Sequence, residues 1–309
     1  VTGSKPEVAV LLCTHNGSDF LAEQLESIDR QQGVSVNLFV SDDASTDGTW
    51  EMLQAIARSN KSPGLHLRQG PASGSAKNFL SLLCDENIVA DYYCFADQDD
   101  IWDSDKLTRA IAKMQQSDDR LATLYCGRTR SLSVTGQVTG LSPLFRKKAA
   151  FANALIQNIG GGNTMVMNDP ARTLLLRAGI RDAVSHDWWA YLLISGAGGK
   201  VIYDPQPYVS YRQHAGNQIG ANTGMGRRIS RYLGVLGGRN RCWNDRNIAA
   251  LEACAELLET HNRDLLLVFK QWRQEGVIKR LSGLRTIGLY TQTFWGNLGL
   301  LCATILKKV

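Results

Sequence analysis

The chain has no CxxC pair, no zinc-finger spacing, no aromatic RNA-binding signature and no helix-turn-helix pattern. These absences remove the usual routes to a structural zinc and to nucleic-acid recognition. Its seven cysteines are odd in number, and Cys13 and Cys94 lie inside apolar, strand-like runs. They read as reduced core residues of a cytoplasmic protein rather than as a disulfide framework. No internal repeat or low-complexity tract is present, and neither a signal peptide nor a spanning segment precedes residue 280. The opening Val1-Thr2-Gly3-Ser4, without an initiator methionine, reads as a remnant outside the fold.

What remains is a globular composition: 309 residues, 44% hydrophobic and 20% charged, with a mild formal charge of +5. That length buries a sizeable core, as one large α/β domain with an appendage or as two smaller domains. Basic residues are thin until the last third, where Arg227, Arg228, Arg231, Arg239, Arg241, Arg246, Arg273, Lys279, Arg280 and Arg285 accumulate. Such a bias suits an anionic partner. With nucleic-acid signatures missing, the expected partner is a membrane surface.

Between residues 8 and 126 short apolar runs alternate with longer amphipathic ones. Strands are expected at 8–13, 36–41, 65–68, 92–96 and 122–126, and helices after Gly17, Asp47, Ser75 and Ser104. This βαβ series predicts a largely parallel sheet. A hairpin and loop are expected over 129–148, strands at 163–167 and 208–211, and helical stretches over 244–261 and 264–274. The boundary between a catalytic domain (1–226) and a helical extension (227–309) is expected where the pattern turns helical.

Polar clusters cap the predicted strands, and ligands of open α/β sheets bind at the carboxyl ends of strands. The densest cluster is Asp97, Asp99 and Asp100, directly after an apolar strand. Three acids in four residues repel one another unless a cation or hydrogen bonds hold them ionised. A hard Mg²⁺ or Mn²⁺, held by one or two carboxylates and completed by water and substrate phosphates, relieves that repulsion. An acidic turn capping the helix near Ser104 explains the same residues.

Asp42 and Asp43 precede Ser45, Thr46 and Asp47, which suit a turn or helix cap. The two leading acids are not needed for capping and could bond a ribose hydroxyl or a base N–H. Gly160-Gly161-Gly162 either lets backbone approach a ligand or forms a tight turn. Ser185-His186-Asp187-Trp188-Trp189 opens a helix. Either Ser185 or Asp187 caps it and the tryptophans pack, or Asp187 is a general base beside an aromatic wall. Arg212, His214 and Asn217 form the last polar cluster, where Arg212 and His214 could serve a diphosphate or its metal. Lys77 either meets the same phosphates or is a solvated lysine at a helix start.

In order, Thr14-His15-Asn16-Gly17, Asp42-Asp43-Ala44-Ser45-Thr46-Asp47, Phe95 to Trp102, His186-Asp187-Trp188 and Tyr211-Arg212-Gln213-His214 resemble glycosyltransferase family 2, and most of all its bacterial rhamnosyltransferase-like members. The resemblance covers roughly residues 7 to 222. It implies a GT-A fold, a Rossmann-like, mostly parallel central sheet with flanking helices, here followed by a C-terminal helical extension. It also implies a metal-dependent, inverting transfer from a nucleotide sugar, dTDP-L-rhamnose being the expected donor, to a glycan or lipid-linked glycan.

By position, the resemblance puts Thr14 and Asn16 beside the nucleotide and Asp42 or Asp43 on base and ribose, makes Asp97 and Asp99 the DxD-type element that meets ribose and metal, and makes Asp187 the catalytic base. Residue type and place add Lys77, Gln98 and Arg212 as donor candidates, His214 with Asp99 for Mg²⁺ or Mn²⁺, and His186, Trp188, Trp189, Gly161 and Gly162 toward the acceptor. Many relatives have Glu-Asp where this chain has His186-Asp187, so the acceptor contact at 186 is the open position. A sugar-nucleotide pyrophosphorylase would carry a Gly-rich, Arg-containing loop after the first strand, which Thr14-His15-Asn16-Gly17 is not. A catalytically silent nucleotide-sugar or glycan-binding module is the other alternative, and the acid at 187 argues against it. The uncharged run 287–306 is expected to lie as an amphipathic segment on the cytoplasmic face of the inner membrane, or else to pack on the protein.

Overall fold

The computed structural model describes residues 4–59, 64–214 and 239–309. The domain boundary expected near 226, Asn217, and the arginines 227, 228 and 231 lie outside the described residues.

The first half is the expected βαβ series: β1 (Glu7–Thr14), α1 (Leu21–Asp29), β2 (Ser35–Asp42), α2 (Thr49–Arg58), β3 (Leu65–Gln69), α3 (Ser75–Leu83) and β4 (Tyr92–Ala96). β1 lies between β2 and β4, parallel to both, and β2 pairs parallel with β3. Every residue of β1 after Glu7 is buried. Val8, Val10 and Leu12 enter one core cluster with Leu21, Leu53 and Leu107, while Ala9, Leu11 and Cys13 enter the other with Phe79, Phe95 and Trp189. The period-two alternation therefore fills both faces of a sheet covered by helices on each side.

The second half is mixed. β5 (Ile101–Trp102) and α4 (Lys106–Met114) lead to a hairpin of β6 (Thr123–Leu132) and β7 (Val138–Leu141). They are followed by α5 (Phe151–Ala154), β8 (Val166–Asn168), α6 (Asp169–Ala178), α7 (His186–Gly196) and β9 (Lys200–Arg212). The strand order is β3-β2-β1-β4-β8-β6-β9-β5, with β7 beside β6. β8 is antiparallel to β4 and β6, whereas β6 and β9 run parallel. The strand expected at 163–167 starts later, because residues Gly162–Thr164 form a 3₁₀ turn.

The connection from β4 to β5 shapes the whole sheet. Three strands lie between them, yet residues 97 to 100 make the link. Four spacings of a flat sheet span about 19 Å, and five extended residue steps reach only about 18 Å. The sheet therefore curls, bringing its far edge back toward α1, where Ser27 Oγ accepts the Trp102 N–H at 3.1 Å. The acid knot is the strap across the mouth of that curl.

The C-terminal helices are α8 (Arg239–Glu252), α9 (Thr260–Trp272), α10 (Val277–Thr286) and α11 (Phe294–Ile305). The single helical stretch expected over 244–261 is instead a helix ending at Glu252, followed by a 3₁₀ turn at Ala255–Leu257. Ile248, Leu251, Leu258, Phe269 and Leu300 join the same hydrophobic cluster as Phe151 and Trp188, so this extension shares the core of the sheet domain. Among the described residues no helix is long and apolar enough to cross a membrane. All seven cysteines are unpaired.

Candidate active site

Parallel register places Thr14 opposite Asp42 and Leu12 opposite Ala96, so the tips of β1, β2 and β4 end side by side. Asp42 is buried there. Its Oδ1 accepts the hydroxyls of Thr14 (2.7 Å) and Ser45 (2.6 Å), and its Oδ2 accepts the Ser45 N–H (3.0 Å). Asp43 accepts the backbone N–H groups of Gly74 (2.8 Å) and Ser73 (3.3 Å), fixing the loop that enters α3. The expectation that both acids are superfluous to local capping is thus corrected: each stabilises a turn. Asn16, at φ 49°, accepts the Thr46 N–H at 2.8 Å, and its side chain remains exposed. Lys77 is exposed in the first turn of α3.

Gln98 joins the acid knot to β1. Its amide oxygen accepts the His15 N–H (2.8 Å) and its amide nitrogen donates to the His15 carbonyl (3.0 Å). A Cβ on Gly17 would stand 2.3 Å from that amide, so a larger residue there would push the Gln98 side chain away from His15. Asp99 lies against His214, with Nε2 2.6 Å from Oδ2. The expected metal pair is therefore in contact as a carboxylate and an imidazole. Arg212 is placed differently from expectation. Its guanidinium is buried over Phe20 and donates to Glu23 Oε2 (2.8 Å) and to the carbonyls of Asp99 (3.3 Å) and Val134 (3.2 Å). It bonds the strap backbone at Asp99 and ties it to α1 through Glu23.

Burial, with the charges of Asp99 and Asp187 added, pushes the Asp97 carboxyl up to about 8. Burial likewise raises Asp100, whose Oδ2 accepts from the Asn163 amide at 2.5 Å. Gly162 and Asn163 are adjacent, and their bonds to Asp187 (3.1 Å) and Asp100 (2.5 Å) place the strap and the Asp187 carboxylate side by side. Among the described residues no group of three or more His, Cys, Asp or Glu is placed to hold a metal ion. Asp99 and His214 are the two side chains that would hold a divalent ion whose remaining positions substrate phosphates would fill. An excess of carboxylates at Asp97, Asp99 and Asp100 is the charge pattern such an ion would neutralise.

Asp187 is fixed by three donors. The Gly162 N–H reaches Oδ2 at 3.1 Å, while the Trp188 N–H (2.6 Å) and the Ser185 hydroxyl meet Oδ1. Ser185 thus serves the carboxylate and makes no side-chain cap to α7. The glycine run works through Gly162, whose added Cβ would lie 2.3 Å from His186 Nε2, while Gly161 stays exposed beside it. His186 is buried, stacked on Phe79 at 3.9 Å and edge-on to Phe95 at 4.6 Å. Burial pushes its pKa down to about 4, so the ring is neutral. The acceptor contacts expected of His186 and Trp189 give way to packing: Trp189 is 0% exposed. Trp188 donates its indole N–H to the Ala154 carbonyl at 2.7 Å and packs against Trp243, so it too serves the wall behind Asp187.

Two residues were missed by sequence reasoning. Lys106 is buried with its ammonium 3.2 Å from the Trp102 ring centre and has no hydrogen-bond partner among the described residues. Burial lowers its pKa to about 8 against the raising effect of Cys94, Asp100 and Asp97, so the acids above it meet a countercharge from below. The available signal was a lysine on the apolar face of α4, one turn before Ala110. The other is Asn163, whose amide pins Asp100; it shared a segment with the glycines and was read only as strand.

A curled α/β sheet with an acidic strap at the crevice and a fixed carboxylate facing it defines a glycosyltransferase of the GT-A type. The chain belongs to Glycosyl transferase family 2, whose profile matches residues 9–174. It is similar to the dTDP-rhamnosyl transferase RfbG of Shigella flexneri, 27% identical over 283 residues that cover 85% of this chain and 93% of that one. A stretch of 124 residues, 39% of this chain and 35% of the relative, is 31% identical to the abequosyltransferase RfbV of Salmonella typhimurium. Its fold resembles S. aureus TarS 1-349 in complex with UDP-GlcNAc (TM-score 0.56, 16% identity, 85% and 70% of the two chains). It also resembles the mannosyltransferase PcManGT from Pyrobaculum calidifontis with GDP-Man and Mn²⁺ (TM-score 0.54, 19% identity, 99% and 86%).

Two outcomes test this geometry. Gly162→Ala must displace the His186 ring or the backbone that orients Asp187, and is expected to lower kcat at least tenfold with the donor KM little changed; an unchanged kcat refutes the positioning role. His186 supplies a pH effect of definite sign. Because it is held neutral while the unfolded residue titrates near 6.5, the unfolded chain binds the extra proton, and stability falls as pH drops from about 6.5 to 4. The loss reaches about 3 kcal/mol and should be missing from His186→Leu when urea unfolding is followed at pH 7 and 4.5.

Proposed function

We propose that this glycosyltransferase moves a sugar, with inversion, from a nucleotide-sugar donor to a glycan or lipid-linked glycan acceptor during synthesis of a bacterial surface polysaccharide such as O-antigen. The carrying observation is the turn at Gly162 and Asn163, where the Gly162 N–H bonds Asp187 and the Asn163 amide bonds Asp100, which sets the acid strap and the base side by side. Similarity to a dTDP-rhamnosyl transferase along most of both chains favours dTDP-L-rhamnose or another deoxyhexose donor.

Asp187 accepts the proton of the acceptor hydroxyl as that oxygen attacks the anomeric carbon from the face opposite the diphosphate. The bond from the anomeric carbon to the diphosphate oxygen breaks and its electron pair leaves with the diphosphate. A single displacement inverts the centre. The Gly162, Trp188 and Ser185 donors keep the carboxylate aimed throughout. Mg²⁺ or Mn²⁺, when bound, would supply positive charge to the departing diphosphate, with Asp99 and His214 holding it. Asp97 stands beside the donor, and Thr14, Asn16, Asp42 and Asp43 shape the nucleotide end of the crevice through the turns they stabilise. Lys77, exposed at the start of α3, is a further candidate for the phosphates. The acceptor enters past Gly161, and work at the cytoplasmic face of the inner membrane fits an acceptor carried on lipid.

Asp187→Asn keeps the shape of the side chain and removes its basicity. Transfer should fall at least a thousandfold, at the strong end of general-base effects, while donor binding by titration calorimetry stays within about threefold. Turnover within tenfold of the parent chain would refute the base assignment.

A further inference from the structure

The last two helices carry apolar side chains into solvent. Along α10, Ile278 is 81% exposed and Leu281, one turn on, is exposed beside it. Along α11, Phe294 (77%) and Trp295 (64%) lead a stripe continued by Leu298 and Leu301 at helical spacing. The two helices pack on each other, and the buried Arg280 of α10 donates to the carbonyls of Thr304 (2.9 Å) and Ile305 (3.2 Å) at the end of α11. The stripes are therefore held as one rigid pair. Exposed aromatics of this size are uncommon on a surface without a partner.

Charge says what that partner is. Residues 276–309 contain no Asp or Glu, and with Arg280 buried and Lys279 paired to Glu275 the cations left at this end are Arg285, Lys307 and Lys308. A second copy of the chain would meet this face with the same cations in a two-fold contact, which opposes self-association. An anionic lipid surface is complementary: apolar side chains enter the acyl boundary while lysine and arginine remain at the headgroups. At 12 residues α11 is about 18 Å long, short of the roughly 30 Å hydrocarbon layer, so it lies in the plane of the surface.

The pair is also tied to the acceptor side of the crevice. The Asn153 amide of α5 donates to the Tyr290 carbonyl (2.9 Å) and its oxygen accepts from Gln292 (3.2 Å). The Gln292 N–H in turn donates to Gln157 (2.9 Å), three residues before the glycine run that orients Asp187. We propose that the exposed faces of α10 and α11 form a docking surface for anionic lipid that presents the Asp187 side of the crevice to a membrane-borne acceptor. This rests on the reading of the protein as a transferase acting on a lipid-linked glycan, and it extends the surface beyond the 287–306 run to Ile278 and Leu281.

The experiment is flotation of the full chain with phosphatidylglycerol-phosphatidylethanolamine vesicles and with pure phosphatidylcholine vesicles, alongside donor turnover in detergent-free solution. The chain should float at least tenfold more with the anionic vesicles. The double variant Phe294→Ser with Trp295→Ser, and separately Lys307→Glu with Lys308→Glu, should each lose that binding at least fivefold with solution donor turnover unchanged. Equal flotation of parent and aromatic variant overturns the proposal. So does a parent chain that sediments as a dimer while the aromatic variant is monomeric, which would assign the face to a second copy. Vesicle binding without any transfer would overturn the catalytic reading and leave the docking surface standing.

Discussion

The structure depends on balancing the charge of the carboxylates brought to one crevice. Asp97, Asp99 and Asp100 lie on a four-residue strap, and Asp187 adds its charge from α7. Nothing in the strap alone makes this arrangement tolerable, since like charges at short range and partial burial raise one another's proton affinity. Compensation is distributed: Lys106 from beneath, His214 on Asp99, and the Asn163 amide on Asp100. The raised proton affinity of Asp97 and Asp100 is what a divalent ion at the strap would relieve, and that ion would in turn neutralise a diphosphate.

The curl of the sheet and the position of the acids are one feature seen twice. Residues 97 to 100 join strands that a flat sheet would hold apart, so the fold closes only where the acids sit. Gln98 then fixes the strap to β1 and Arg212 fixes it to Glu23 on α1, which leaves little freedom for the carboxylates between them. On the facing side Gly162, His186 and the Phe79 and Phe95 rings form a packed stack behind Asp187. Residues whose types suggested direct substrate contact thus act as supports for those that carry the chemistry.

Much of the fold was legible because its signals are local. The apolar runs of β1 and β4 and the polar tips that follow them mark buried parallel strands, and the acids after β4 stand out for the same reason. Partners distant in sequence were not legible. Arg212 suited a phosphate by residue type, yet its charge is met by Glu23, 189 positions away. Trp189 suited a sugar face, yet helix α7 is buried along its whole length, and spacing alone cannot reveal that. The apolar tail was visible as an uncharged run, but its helix begins only at Phe294. Thr293 caps it by accepting the Gly296 N–H, and Tyr290 and Gln292 are occupied with Asn153.

The most direct measurement of the central claim is the affinity of a nucleoside diphosphate by titration calorimetry, with Mn²⁺ and with EDTA, in the parent chain and in Asp99→Asn. If the acidic strap is a charge-balancing seat for an ion and a diphosphate, Mn²⁺ should tighten binding to the parent chain at least tenfold and leave the variant unchanged. Equal affinity in Mn²⁺ and EDTA for the parent chain would contradict it.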